Sequence, residues 1–203
     1  MDGTNAAEAA LQTLRGDVID IVLGTVFLAI GATACAIAAI RGRRGVRMLL
    51  WWGIFSGMYG LQILGQASTV LTVLPPSFTS VALYVKTAVR YLLLVSALFA
   101  WRELTLGKLR ILIDLEIFVG STIALLGIGT FVLGGPGDKW IFYNNLLAAL
   151  VTPALLAVVL VPRFSRFHVI PHHRILAAVL VIFALEVLYT NLGTVLRYPT
   201  LRW

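Results

Sequence analysis

The sequence predicts an all-α protein, a polytopic membrane helix bundle with six transmembrane helices and its N-terminus outside. Two observations predict this class: 60% of the 203 residues are hydrophobic and only 12% are charged, whereas a soluble domain carries about 25% charged residues. A third observation gives the orientation. Ten of the 16 Lys and Arg residues lie in three short linkers between apolar stretches, and short basic linkers stay on the cytoplasmic side of a membrane.

Six apolar stretches are long enough to cross a bilayer core, which needs about 20 residues in a helix. The predicted spans are residues 18–40, 48–71, 80–101, 111–134, 142–162 and 175–197. The transmembrane region is therefore 18–198. A short extracytoplasmic tail at 1–17 precedes it, and an outer linker at 199–203 follows it.

The first span differs from a signal peptide in the order of its charges. Asp2, Glu8, Arg15 and Asp17 precede the apolar run, and the arginine cluster of residues 41–47 follows it. A signal peptide carries its basic residues before a shorter apolar core. The first span is therefore predicted to be retained, with its N-terminal end outward.

Turn residues and motifs define the later spans. Pro75 and Pro76 end the second span, the Gly-Gly-Pro-Gly segment at 134–137 separates the fourth and fifth, and Pro162 and Pro171 flank the third basic linker.

Gly53-Ile-Phe-Ser-Gly57 is a GxxxG motif, which permits close helix approach. In a chain with six spans it favours packing within the chain over dimerisation.

Aromatic residues support the same orientation, because Trp and Tyr favour the two membrane–water interfaces. Near the predicted inner face lie Trp51, Trp52 and Trp101, and near the outer face lie Trp140, Tyr143 and Tyr198.

Two charged residues within spans fall at the same predicted depth. Arg90 follows Ser80 by ten residues, and Glu186 precedes Arg197 by eleven. At 1.5 Å per residue these positions are about 15 and 16 Å below the outer surface. Ionisable residues inside a membrane are costly and usually functional. The sequence therefore predicts an Arg90–Glu186 ion pair between the third and sixth spans.

Polar residues within the spans concentrate in the predicted outer half. This distribution predicts a cavity open to the outside, with Lys86 placed to meet an anionic ligand. The predicted ligand-binding residues are Lys86, Arg90, Tyr59, Gln62, Asn144 and Glu186. The alternative interpretation is packing alone, because Gln, Asn and Tyr routinely hold membrane helices together and Lys86 could extend to the headgroups.

Two further polar groups are predicted to be structural. Asp114 and Glu116 are two residues apart, so they point to different faces of a helix, and Glu116 is expected to pair with an arginine of an inner linker. His168 and His172 have the spacing of a metal pair, but Pro171 between them opposes a regular helix. Neither a metal site nor a cofactor is therefore expected.

Other function classes are not favoured. The net charge of +7 comes from residues that flank apolar spans, so it predicts topology rather than nucleic-acid binding. The sequence contains no phosphate-binding glycine loop, no Gly-x-Ser-x-Gly elbow and no His-Glu-x-x-His motif. These residues by themselves are therefore not expected to form an enzyme.

The number and orientation of the spans resemble the seven-transmembrane sensor modules of bacterial signalling proteins. In those proteins the membrane module precedes an output domain such as a PP2C-type serine phosphatase, a diguanylate cyclase or a histidine kinase. The resemblance implies that this chain stops before a seventh span. It departs from the family in having only about 17 residues before the first span, where family members often carry a folded domain.

The expected function is that of a sensory transmembrane module in the inner membrane of a bacterium. It would detect a ligand or membrane state in the outer-half cavity and relay it to a cytoplasmic output domain. The lipid bilayer, a small or anionic ligand from the outer side and a second copy in a homodimer are the expected partners. A small transporter or channel and a structural membrane subunit remain the alternatives.

Overall fold

A computed structural model describes residues 2–41, 47–73, 75–164 and 173–197, and the regular elements in these ranges are helices. The α-helices are α1 (Asp2–Arg41), α2 (Arg47–Leu64), α3 (Ser68–Val73), α4 (Pro76–Leu104), α5 (Lys108–Val132), α6 (Asp138–Leu160) and α7 (His173–Leu196). A 3₁₀ turn at Pro162–Phe164 follows α6. Most of the arginine cluster at 42–46, His168 and His172, and the predicted outer linker at 199–203 lie outside the described residues.

The helices form two compact units, Met1–Leu93 and Leu94–Trp203, and α4 contributes to both. In the described ranges, five helical segments are long and apolar enough to cross a membrane. They are Arg15–Arg41, Ser80–Leu104, Lys108–Val132, Asp138–Leu160 and Ala177–Leu196. The regular structure of the described ranges is therefore helical, and by the length and composition of these segments the chain is a multi-pass membrane protein.

The predicted second span does not form one long apolar helix. Helix α2 has 18 residues, which is about 27 Å at 1.5 Å per residue, against a hydrocarbon core of about 30 Å. Its apolar character is reduced by Trp51, Trp52 and Gln62. The predicted count of six spans therefore exceeds the five segments that are apolar enough by themselves.

The N-terminal tail and the first span belong to one helix. Helix α1 is continuous over 40 residues, so the boundary predicted at residue 17 is a change of composition and not a change of secondary structure. The alanine-rich segment at 6–10 favours this continuation, because alanine has the highest helix propensity.

Glycine residues bring α1 and α2 together as an antiparallel pair. Gly24 and Gly31 are buried on α1, and Gly53 and Gly60 are buried on α2, each pair spaced by seven residues. A Cβ atom on Gly31 would lie 2.5 Å from the backbone nitrogen of Gly57, and one on Gly60 would lie 2.6 Å from the carbonyl oxygen of Gly24. The two backbones are therefore in direct contact, which confirms that the GxxxG motif packs within the chain.

The second span is broken rather than continuous to residue 71 as predicted. Helix α2 ends at Leu64, a turn follows, and α3 begins at Ser68. The Oδ2 atom of Asp17 accepts hydrogen bonds from the backbone nitrogen of Thr69 at 2.6 Å, its hydroxyl at 2.7 Å and the Ser68 hydroxyl at 2.9 Å. Asp17 thus satisfies free donors at the start of α3, which stabilises the break.

The second unit is built from antiparallel neighbours. Gly120 of α5 faces both α4 and α6, because a Cβ atom there would lie 3.4 Å from Leu147 and 3.7 Å from both Leu98 and Val95.

Helix α5 ends in a Schellman motif, with Gly134 at φ 73° and the Gly135 nitrogen bonded to the Thr130 carbonyl at 2.9 Å.

One hydrogen bond joins two predicted inner linkers. The backbone nitrogen of Leu106 donates to the carbonyl oxygen of Phe164 at 2.7 Å. The linker after α4 and the 3₁₀ turn after α6 therefore lie at the same end of the second unit. Both segments carry basic residues, including Arg102, Lys108 and Arg163.

Candidate functional site

Lys86 lies against the end of α2. A Cβ atom on Gly65 would be 3.8 Å from the Cδ atom of Lys86, so the lysine stem passes directly beside the turn that ends the helix. Lys86 follows Ser80, where the apolar segment of α4 begins, by six residues or about 9 Å. The break between α2 and α3 is therefore level with the apolar part of α4.

The end of α2 places partial negative charge beside this lysine. The last carbonyl groups of a helix carry partial negative charge, and here the turn that follows α2 supplies donors to them. The Gly65 nitrogen bonds the Leu61 carbonyl at 2.9 Å, and the Gln66 nitrogen bonds the Ile63 carbonyl at 2.9 Å. Lys86 is exposed and forms no salt bridge with another described residue. Its ammonium group is therefore placed to attract an acidic group.

Gln62 lies one helical turn before Gly65 on the same face of α2. Its Oε1 atom is buried and has no hydrogen-bond partner among the described residues. A buried amide oxygen usually accepts a hydrogen bond from protein, water or ligand. Gln62 therefore provides an unused acceptor one turn from the glycine beside which the lysine stem passes.

Tyr59 and Arg90 extend this group by one turn on each helix. The Tyr59 ring packs edge-on against the Phe27 ring, with centroids 5.1 Å apart, and stacks on the Phe55 ring at 6.1 Å. Arg90 follows Lys86 by four residues and is exposed. Four of the six predicted ligand-binding residues thus lie in the first unit.

The other two predicted residues lie in the second unit. Asn144 of α6 is buried, with 6% of its surface exposed, and its Oδ1 atom has no partner among the described residues. Glu186 of α7 is exposed. Because the Arg90–Glu186 pair and the complete outer cavity would each join the two units, both stay predictions.

Sequence reasoning missed Glu116 as a functional candidate. The Arg102 guanidinium binds the Asp114 carboxylate. This arginine of the last turn of α4 therefore pairs with Asp114, whereas an arginine was expected to pair with Glu116. Glu116 is instead buried, and its Oε2 atom has no partner among the described residues. A spacing of three and four residues relates it to the buried positions Ile113, Gly120, Ala124 and Gly127. That periodicity is visible in the sequence.

The two sets of residues allow binding chemistry. Within the described ranges, no three His, Cys, Asp or Glu residues are grouped to hold a metal ion. The group at the α2–α3 break combines one cation with one acceptor, Gln62 Oε1, that has no partner among the described residues. Such a group can bind a molecule that carries both an acid and a hydrogen-bond donor.

Comparisons with known proteins give this chain no relative from which a role could be transferred. No protein-family model matches the sequence, no curated protein matches it significantly, and no solved structure matches its fold significantly.

Proposed function

We propose that the chain is a sensory, non-catalytic membrane module that binds a small acidic ligand at the α2–α3 break. The position of the Lys86 stem beside Gly65 carries the proposal, because it brings an exposed lysine to the end of a helix at the level of an apolar segment. Gln62 adds an acceptor without a partner among the described residues. An ionisable side chain inside a membrane is costly, and it usually marks a functional site.

The ligand should carry a hydrogen-bond donor as well as an acid. Lys86 attracts the acidic group, whereas Gln62 Oε1 accepts a hydrogen bond. A simple carboxylate satisfies only the first requirement. A hydroxy acid or an amino acid satisfies both, so these classes are the proposed ligands.

Helix α4 is the proposed route of the response. It carries Lys86 in the first unit and continues without a break into the second. A ligand that draws Lys86 toward it would shift α4, provided that the ligand binds the shifted arrangement better than the original one. The output would then be read by a domain that follows a seventh span in the cytoplasm, as in the family that the chain resembles.

The proposed setting is the inner membrane of a bacterium, with the N-terminus outside, six spans in this chain and two copies in a dimer. The three basic linkers support this orientation. The hydrogen bond from Leu106 to Phe164 agrees with it, because it holds parts of two basic linkers at one end of the second unit. Helices α2 and α3 together would make the sixth crossing.

Binding of three related acids tests the ligand site. We expect alanine or lactate, but not propionate, to raise the Tm of the purified chain in lipid nanodiscs, because only the first two add a donor to the carboxylate. Lys86→Gln should abolish this increase. Lys139→Gln is the matched control, since Lys139 is predicted to lie on the outer side and its ammonium is over the Trp140 ring, 5.2 Å from the centroid.

Two results would contradict the ligand site. One is an equal increase in Tm for wild type and Lys86→Gln with every acid tested. The other is no increase in wild type with any of the three acids.

The runner-up function is a small transporter, and one observation favours it. Many transporters bind their substrates at interrupted membrane helices, and the α2–α3 segment is such an interruption. Uptake of radiolabelled lactate or alanine into proteoliposomes would support transport. Binding without uptake would support the sensor.

A further inference from the structure

Glu116 has no role in the ligand site at the α2–α3 break, and its surroundings indicate a different kind of site. Only 9% of its surface is exposed, and its Oε2 atom has no hydrogen-bond partner among the described residues. It follows Lys108, the first residue of α5, by eight positions or about 12 Å. An ionised carboxylate without a partner is strongly disfavoured there, because burial removes its hydration.

The nearest cation of the adjoining helix α4 is already bound. Glu116 lies between two levels of contact with α4: the Arg102–Asp114 ion pair on one side and the approach of Gly120 to Leu98 on the other. Within the second unit, the charged residues of α4 are Arg102 and Glu103. Since the Arg102 guanidinium binds Asp114, this helix offers no free cation to Glu116.

The other packed helix provides no charge at this level. Helix α6 carries Asp138 and Lys139 in its first turn and no ionisable Asp, Glu, Lys, Arg or His in the rest of its length. On α5 itself the remaining charged residues are Lys108, Arg110 and Asp114, all nearer its start. The neutral acid is therefore the form that fits these surroundings.

We propose that Glu116 is a proton-binding site of the second unit. Its carboxyl group holds a proton while it is buried between α4, α5 and α6, and release of the proton leaves an uncompensated charge among them. Proton release therefore favours an arrangement in which water reaches Glu116, so the packing of α5 depends on pH. The inference rests on the second unit alone and is independent of ligand binding at Lys86.

Infrared difference spectroscopy on the full chain in nanodiscs tests this site directly. Titration from about pH 6, where an ordinary glutamate with a pKa of about 4.3 is already ionised, to about pH 9 should remove a protonated carboxylic acid carbonyl band. Glu116→Gln should lack the band, because its amide is neutral and of nearly the same shape. Glu103→Gln should retain it, because it leaves the Arg102–Asp114 ion pair in place.

A wild-type spectrum without the band, or an undiminished band in Glu116→Gln, would overturn the proposal. A second measurement needs no variant. Dicyclohexylcarbodiimide adds to protonated carboxyl groups in apolar surroundings, and mass spectrometry of the wild-type protein should locate it on Glu116 at about pH 6. Modification of other carboxyl groups while Glu116 stays unmodified would also count against the site.

Discussion

Asp17 shows how one side chain can stabilise the break between two consecutive helices. A single carboxylate oxygen accepts three hydrogen bonds from the start of α3, at 2.6 to 2.9 Å. Without Asp17, the donors of Ser68 and Thr69 would need other partners. The break that forms the proposed ligand site therefore depends on a residue more than fifty positions away in the sequence.

Replacement of Asp17 tests this dependence. We expect Asp17→Ala to lower the Tm in detergent and to speed amide hydrogen exchange in residues 68–73, because the Thr69 amide loses its acceptor. Asp20→Ala is the control, since Asp20 lies less than one helical turn further along α1 and forms no hydrogen bond with another described residue. Equal exchange in the two variants would show that α3 forms without Asp17.

Part of the candidate site can be predicted from the sequence at the level of single residues. Gln62 and Asn144 were predicted as polar residues within spans, and both have buried oxygen atoms with no partner among the described residues. Glu116 was misassigned, because the arginine pairs instead with Asp114, which lies two residues closer to the basic linker at 102–110. The spacing of Glu116 from Ile113 and Gly120 indicates a buried position, and the packing of α5 shows that Asp114 is exposed and Glu116 is buried.

The contact between α1 and α2 depends on missing side chains. Gly31 approaches backbone atoms, with the Gly57 nitrogen at 2.5 Å and the Gly53 oxygen at 2.6 Å from a hypothetical Cβ atom. Backbone atoms cannot rotate away as a flexible side chain can. The two helices must therefore separate if Gly31 acquires a Cβ atom.

Paired glycine variants test this packing. We expect Gly31→Ala to destabilise the protein by about 1–3 kcal/mol through overpacking. Gly57→Ala should be neutral or slightly stabilising, by up to about 1 kcal/mol from helix propensity, because a Cβ atom there meets nothing within 4 Å. Unfolding in sodium dodecyl sulfate, followed by fluorescence of Trp51 and Trp52, would measure both. An equal loss of stability in the two variants would contradict the structure.

Helix boundaries follow the sequence where turn residues mark them. The structure starts α5 at Lys108 and ends it at Val132, close to the predicted 111–134, because Gly107 and Gly134 adopt positive φ values at its two ends. The end of α2 could not be predicted in this way. Hydropathy continues through Ile63, Leu64 and Ala67, and the residue that stabilises the break belongs to another helix.

The sequence predicts the class of the whole protein well, but it predicts the number of membrane spans less well. Apolar composition and basic linkers indicate a multi-pass helical membrane protein, and five segments meet the requirements for a span. The proposed sixth crossing would use α2 and α3 together, because α2 alone is short and contains Gln62. The division into two units depends on tertiary contacts, which no local pattern in the sequence encodes.

Orientation is the claim on which the ligand site, its access from outside and the cytoplasmic output all depend. Cysteine labelling in intact cells tests it most directly, in a Cys35→Ala background that removes the native thiol. With a membrane-impermeant maleimide, we expect Asp138→Cys to label in intact cells and Lys108→Cys to label only after permeabilisation. Labelling of Lys108→Cys but not Asp138→Cys in intact cells would place the basic linkers outside and contradict the account.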